Sequence, residues 1–408
     1  MKKNILTIVG ITILFLGTCI TSSVAIYNVK KSSLSNNSGN TLYIGGTGPN
    51  NYTKIQDAID EASNGDIVFV YDDSSPYLET IEIFKSIKLI GENRDTTVIN
   101  GRFIYDHVIT ILADYTTISG FTITNSDKTR YGILIDSDNN FISDCNLIDN
   151  HLGGIVIDMG CCNNHISYCY FKNEYLGIDF SHNTDTNISY CLFEGDYIKS
   201  ISSPKTVVSD CKFTGPYSDI SLTWSSDNSQ IINCSINSSY GSGINIEGDN
   251  TEIKGCKINN CWQGIMVGYG PEKTSIINCT IAGCLKYAGI YFYGHCFNSY
   301  ISGCNISNNY FGIDVFGGIY NSRIYDCNFA NNEIGISIFY SGISNHFLRN
   351  NFIDNKEQFY FEDTVRFMLS YFGNNYWSDW RGILPFYHVF RLFNWDWHPA
   401  KEPYDIDL

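Results

Sequence analysis

The sequence predicts an all-β fold, a right-handed parallel β-helix of roughly twelve coils of 20 to 25 residues each. Three observations carry that prediction. A cysteine recurs at one period, at positions 145, 169, 191, 211, 234, 256, 279, 304 and 327, with steps of 20 to 25 residues. Each stands in the same phrase: an aliphatic residue, two variable ones, Cys, one variable, an apolar residue, a polar turn, then Gly-Ile-x-apolar. The composition, with 35 Gly, 29 Tyr and 25 Phe beside abundant Asn, Ser and Ile, favours strands and turns over helices.

The chain opens on Lys2 and Lys3, an apolar run from Ile5 to Ile20, and small residues at Ser23-Val24-Ala25. That order is an export signal over residues 1–25, with cleavage expected near Ile26. An uncleaved membrane anchor, or lipidation at Cys19, are the alternatives. Membrane contact is expected through this segment alone, and residues 26–41 read as a polar linker.

The solenoid is expected over residues 42–362. An open β-helix exposes its terminal coil, so its ends need protection. Residues 53–65 suit the N-terminal end: Thr53 and Gln56 form a capping box, Ile55, Ala58, Ile59 and Ala62 share one helix face, and Gly65 stops the helix. Strands at 67–71, 87–90 and 98–99 then begin the stack. Leucine-rich repeats have a similar period but need a Leu-rich consensus that is absent.

Within a coil, the alternation of strand side chains assigns faces. Cys145 and Leu147 share one face, as do Ile155 and Ile157, so these point inward while Asn146 and Val156 point out. All nine repeat cysteines, Cys145, Cys169, Cys191, Cys211, Cys234, Cys256, Cys279, Cys304 and Cys327, then form one interior column of small buried hydrophobes. Disulfides between rungs compete with that reading in an oxidising exterior, against the geometry of stacked parallel side chains. A metal column is a third option, limited to neighbouring thiols. Cys261 and Cys284 stand where Asn150, Asn309 and Asn332 stand in other coils, and they are the pair best placed for a disulfide. Cys161, Cys162 and Cys296 fall in loops and follow no pairing rule.

The phrase decays at Phe347-Leu348-Arg349-Asn350-Asn351-Phe352, after which the chain turns aromatic, with Trp377, Trp380, Trp395 and Trp397. Residues 363–408 are expected to fold over the last coil as a non-repeating cap.

The net charge is −16, and removal of Lys2 and Lys3 makes it −18. So few basic residues, thinly spread, exclude nucleic acid as a partner. Solubility in a salty exterior accounts for the acidity. Triplets such as Asn51-Tyr52-Thr53 and Asn278-Cys279-Thr280 match glycosylation sequons but arise by chance in an Asn-rich repeat.

Several stretches resemble a known family: Gly65-Asp66-Ile67-Val68-Phe69-Val70, Ser86-Ile87-Lys88-Leu89-Ile90-Gly91-Glu92, the Gly-Ile coils, and Gly373-Asn374-Asn375-Tyr376-Trp377. Together they resemble the NosD-like branch of the right-handed β-helix, or pectin-lyase-like, superfamily, of the archaeal cell-surface type. The resemblance covers nearly the whole chain after the signal and implies fold and export. The superfamily includes polysaccharide lyases and hydrolases, carbohydrate-binding surface proteins and a factor for copper-enzyme maturation, so fold alone does not choose among them. No catalytic motif of these transfers onto this sequence.

Outward positions of the Gly-Ile strands form the surface on which such folds build sites. The second outward position runs Asp136, Asp158, Ser181, Glu247, Gly268, Tyr293, Phe316, Phe339, from acidic to aromatic. Asp136 and Asp158, one coil apart, with Asp179 in the adjacent column, have the chemistry to hold calcium or to divide acid and base roles in glycoside hydrolysis. The plainer reading is solvated surface acids, and no Lys or Arg stands in these columns to serve a lyase. Tyr291, Tyr293, Phe316 and Phe339, with Trp224, Trp262 and Tyr269 nearby, offer rings for sugars to stack on, unless the aromatic tail covers them. His295 and Cys296 are adjacent and point opposite ways, which argues against a metal pair.

The expectation is an extracytoplasmic scaffold or binding protein without catalysis or a required cofactor, glycans being its first ligand class. A polysaccharide lyase or glycoside hydrolase using the outward acids is the alternative. Copper-enzyme maturation is a third, for which the sequence offers no exposed His or Met cluster.

Overall fold

The computed structural model describes residues 39–101, 106–237, 240–361, 368–382, 387–390 and 394–406. The signal segment and most of the linker lie outside them. The chain winds into a parallel β-solenoid of about 14 turns with almost no helix. As expected, the solenoid runs beyond the Cys phrase at both ends. Thr41–Ile44, Ile67–Val70 and Lys88–Gly91 already pair in parallel, and Tyr376–Trp377 still pairs with Asn351–Ile353.

One coil shows how the phrase folds. Phe141–Ser143 lies in a first sheet, Asn146–Ile148 in a second and Gly153–Ile157 in a third, here called sheets A, B and C. The residue before each Cys adopts a left-handed backbone, for example Asp144 at φ 52°, Asn233 at 54° and Gly303 at 61°. Asp, Asn and Gly enter this region most readily. That single residue turns the chain from sheet A to sheet B, so Ile142, Cys145 and Leu147 all face inward. Register is strict: Ile142 sits on Ile166 in sheet A, Leu147 on Phe171 in sheet B, and Ile155 on Ile178 in sheet C.

The interior is a set of columns. Phe171, Phe193 and Phe213 stack at 4.6 and 4.5 Å, and Phe352 stacks on Trp377 at 4.3 Å. The nine repeat cysteines are all buried, none more than 2% exposed. Their thiols reach carbonyl oxygens two residues back, as Cys145 does to Ser143 at 3.3 Å. Bonds between neighbouring thiols, and then burial, push Cys234 and Cys256 up, while the same thiol–thiol bonds hold Cys211 and Cys279 down. Among the described residues no disulfide is formed: Cys261 and Cys284 are buried thiols, which corrects the pairing expected for them.

A second column runs through the turn after sheet B. Asn309 N–H and Nδ2 donate to Asn332 Oδ1, and Asn332 repeats the pattern onto Asn355. Each also ties Nδ2 to a backbone carbonyl of the coil before, Asn332 to Ile306 at 3.0 Å. Near the end of the chain a parallel ladder runs from Asn350 to Asn375 and terminates on Asp396, which also accepts from Trp377 Nε1 at 3.1 Å.

A short helix, Ile55–Glu61, buries Ile55, Ala58 and Ile59 at the N-terminal end. The expected capping box is not formed. The N-cap is Lys54, without a side-chain cap bond, and the free N–H groups of Ile55 and Gln56 donate instead to Glu79, at 3.0 and 3.2 Å. A carboxylate from the next coil thus does the work that a local motif was expected to do.

Candidate functional site

The outer face of sheet C brings together the polar and aromatic side chains of greatest chemical interest. Its first outward column runs, rung by rung, Leu134, Val156, Asp179, Lys199, Ser221, Asn245, Met266, Tyr291, Asp314, Ser337 and Tyr360.

Asp136 and Asp158 continue these rungs and are exposed at the strand ends. With Asp138 they surround Cys161, whose thiol is pushed up to about 11 by burial and then by these charges. Asp158 Oδ1 accepts from the N–H of Met159 at 2.8 Å. Asp179 lies apart from them, one column inward, and accepts from the Tyr131 hydroxyl at 2.8 Å. No set of three or more His, Cys, Asp or Glu side chains converges as metal ligands among the described residues.

The aromatic half is a continuous ridge. Tyr269 meets Tyr293 edge-on at 4.8 Å, Tyr293 stacks on Phe316 at 6.1 Å, and Phe316 meets Phe339 at 6.0 Å. Tyr269 is 72% exposed and Phe316 38%, while Tyr291 is buried beneath Tyr293 and against Tyr287. Trp262 is exposed on the coil of Tyr269. In the described part of the tail, Tyr404 is anchored to Asn351 of sheet B at 2.8 Å. Under the ridge lies Asp314, fully buried, with Tyr287 and Ser337 beside it but no hydrogen bond of good geometry to either oxygen. Burial pushes its carboxyl up to about 6.

The sequence reading missed a groove of about 650 Å³ on the same face, lined by Glu174, Tyr175, Tyr197, Lys199, Tyr217 and Asp219 above a floor that includes Asn245. Burial pushes Asp219 up to about 7 and holds Glu174 well above the usual carboxylate range. Asp196, behind it, is pushed up to about 7 for the same reason. Two signals in the sequence mark the place. The step from Cys191 to Cys211 is the shortest, 20 residues, and the glycine before the inward Ile is replaced by Tyr197 and Asp219. Where that glycine is kept, no side chain fits: a Cβ on Gly264 would lie 2.4 Å from the carbonyl oxygen of Gly289. One shortened coil and the coil after it thus carry a side chain where the other coils carry that glycine.

A larger groove, about 1000 Å³, lies where sheets A and B meet, but its one arginine, Arg94, is already paired with Asp144 at 3.0 Å.

The profile of a family described as periplasmic copper-binding protein (NosD) matches residues 177–382, half of the chain, from the groove through the ridge to the first part of the tail. The chain belongs to this family. Sequence comparison with curated proteins finds no match. Among solved structures, this NosD-family chain is similar to the Azotobacter vinelandii mannuronan C-5 epimerase AlgE4 A-module, with a TM-score of 0.55 and 12% identity over 78% of this chain and 94% of that one. It is also similar to the Dettilon tailspike protein, with a TM-score of 0.53 and 14% identity over 79% of this chain and 68% of that one. At such identities the likeness is one of fold.

The family description raises copper as cargo. Nearly all the thiols that would suit Cu(I) are buried, the nine of the interior column bonded to carbonyl oxygens, and Cys162 alone among the described cysteines is partly exposed. Among the described residues no three His, Cys, Asp or Glu side chains assemble to hold the ion. Among the described residues, no helix is long and apolar enough to cross a membrane.

Proposed function

We propose that this NosD-family chain is an extracytoplasmic scaffold that holds a polysaccharide along the outer face of sheet C, without cleaving it. The observation that carries the reading is the ridge Tyr269, Tyr293, Phe316 and Phe339, with ring contacts of 4.8 to 6.1 Å over four successive coils. Coils repeat at ~4.8 Å, a step comparable with one sugar ring of an extended chain, so successive rings meet successive sugars. Export is supported by the basic and apolar N-terminal segment and by the periplasmic description of the family. Glycan arrays and affinity gels with the folded mature chain test the proposal. Retention by at least one polysaccharide is expected, and background binding throughout would remove it.

Two rival readings have their own assays. A lyase or hydrolase using Asp136, Asp158 or Asp179, with or without calcium, would release reducing ends or unsaturated products and lose that activity in Asp136→Asn or Asp158→Asn. Copper delivery would show as tight stoichiometric Cu(I) binding in an anaerobic titration.

A further inference from the structure

The groove at the shortened coil and its neighbours holds polar atoms that the fold leaves unsatisfied. Glu174 Oε2 and Asn245 Oδ1 are buried, belong to residues lining the groove, and have no hydrogen-bond partner. Glu174 is only 9% exposed, and its other oxygen already accepts from the N–H and Nδ2 of Asn150. The two unpartnered oxygens have almost no open surface of their own, so they mark a polar wall that the fold leaves incompletely satisfied, and a ligand rich in hydroxyl groups suits that lining best. Asp219 adds a carboxyl that burial keeps protonated to about pH 7, offering an O–H to such a ligand. Ser221, Thr223 and Ser242 supply further hydroxyls. The walls are rings: Tyr175 and Tyr217 are 67% and 63% exposed, Tyr197 packs on Tyr175 at 6.4 Å, and Tyr217 leans on Tyr240 at 5.7 Å.

We propose that this groove is a second saccharide subsite, which takes a neutral, hydroxyl-rich stretch of the same chain that the aromatic ridge holds. The proposal rests on the carbohydrate reading of sheet C and deepens it. Groove and ridge lie on the same sheet: Asn245 of the groove is followed on consecutive rungs by Met266, Tyr291 and Asp314, the last two buried beneath the ridge. A polysaccharide laid along the solenoid axis crosses both without leaving the face. Neutrality follows from the charges around the groove. Of the charged side chains that line the groove, Glu174 and Asp219 are answered by Lys199 alone, so a polyanion would be repelled once the acids ionise, whereas hydroxyl groups use them as donors and acceptors.

The test uses laminari-, cello- and manno-oligosaccharides of two to eight residues, titrated calorimetrically into the mature chain near pH 6. Affinity should keep rising with length beyond the four sugars that the ridge alone accommodates. In the longest bound series, Tyr217→Ala and Asn245→Ala should each weaken binding about tenfold, the loss of one stacked ring or one hydrogen bond. The short oligosaccharides that fit the ridge should be unaffected, and circular dichroism should show both variants folded. Affinity that stops rising at four sugars, or groove variants that bind as the parent does while Phe316→Ala does not, would overturn the subsite and leave the ridge standing. Binding of pectate or alginate oligosaccharides in preference to all neutral ones in a parallel titration near pH 8, where Asp219 is ionised, would overturn the neutral class. Failure to bind any oligosaccharide would overturn both readings.

Discussion

Replacing Asp196 by Asn should stabilise the protein, and by an amount that depends on pH. Asp196 stands in the turn column after sheet B, where Asn150, Asn309, Asn332 and Asn355 stand in other coils. It is fully buried, accepts from the N–H of Glu174 at 2.9 Å through Oδ1, and leaves Oδ2 without a partner. Burial raises its carboxyl from 3.8 to about 7. The folded state therefore keeps a proton that the unfolded chain releases above pH 3.8, so stability is lost as pH rises from about 4 to about 7 and is level beyond. About three units at 1.36 kcal/mol each make that loss up to about 4 kcal/mol. Asparagine has no charge to bury, keeps the acceptor for Glu174, and gains an Nδ2 that can reach a carbonyl as Asn332 does. Urea unfolding followed by tryptophan fluorescence should show near-equal midpoints for parent and Asp196→Asn at about pH 4 and a clear gain for the variant at about pH 8. A gain of equal size at both pH values, or a less stable variant at about pH 8, would refute the reasoning.

Other expectations follow from the interior columns. Cys234→Ala should cost about 1 to 2 kcal/mol as a small cavity, measured by the same unfolding assay, while Cys234→Asp should fail to fold because it buries an unpaired charge. A bulky thiol reagent should leave the nine repeat cysteines unlabelled in the native protein and label them all in urea. Asn332→Ala should cost about 2 to 4 kcal/mol, since it orphans the Asn309 amide and the Ile306 carbonyl at once, and Asn332→Asp should not restore the loss.

The solenoid was legible because its signal is repeated. The alternation of Cys145 with Leu147 and of Ile155 with Ile157, copied at one period, determines strand, face and register together, and a one-residue slip would expose every coil. The capping box was misread because Thr53 and Gln56 satisfy a local pattern, whereas Glu79, 24 residues beyond Ile55, makes the actual contact. The solenoid has about 14 turns where roughly twelve were expected, although the stack was already expected to begin before the Cys phrase. Strands such as Thr41–Ile44 need only an alternating face, without the Cys, to join the stack. The site was partly legible. Parity placed Tyr293, Phe316 and Phe339 in one outward column, but it says nothing about depth. It ranked the exposed Asp136 and Asp158 above Asp219 and Asp314, whose surroundings depend on coil length and on side chains from neighbouring rungs.

The central claim is that sugar rings stack along the ridge, and its most direct measurement is the affinity of the tightest-binding polysaccharide for the parent, Tyr293→Ala, Phe316→Ala and the double variant. Each ring removed should weaken binding five- to thirtyfold, from a loss of about 1 to 2 kcal/mol, and the double variant should bind at background, with melting temperatures close to the parent because these rings lie outside the core columns. Unchanged affinity in the folded double variant would contradict the account.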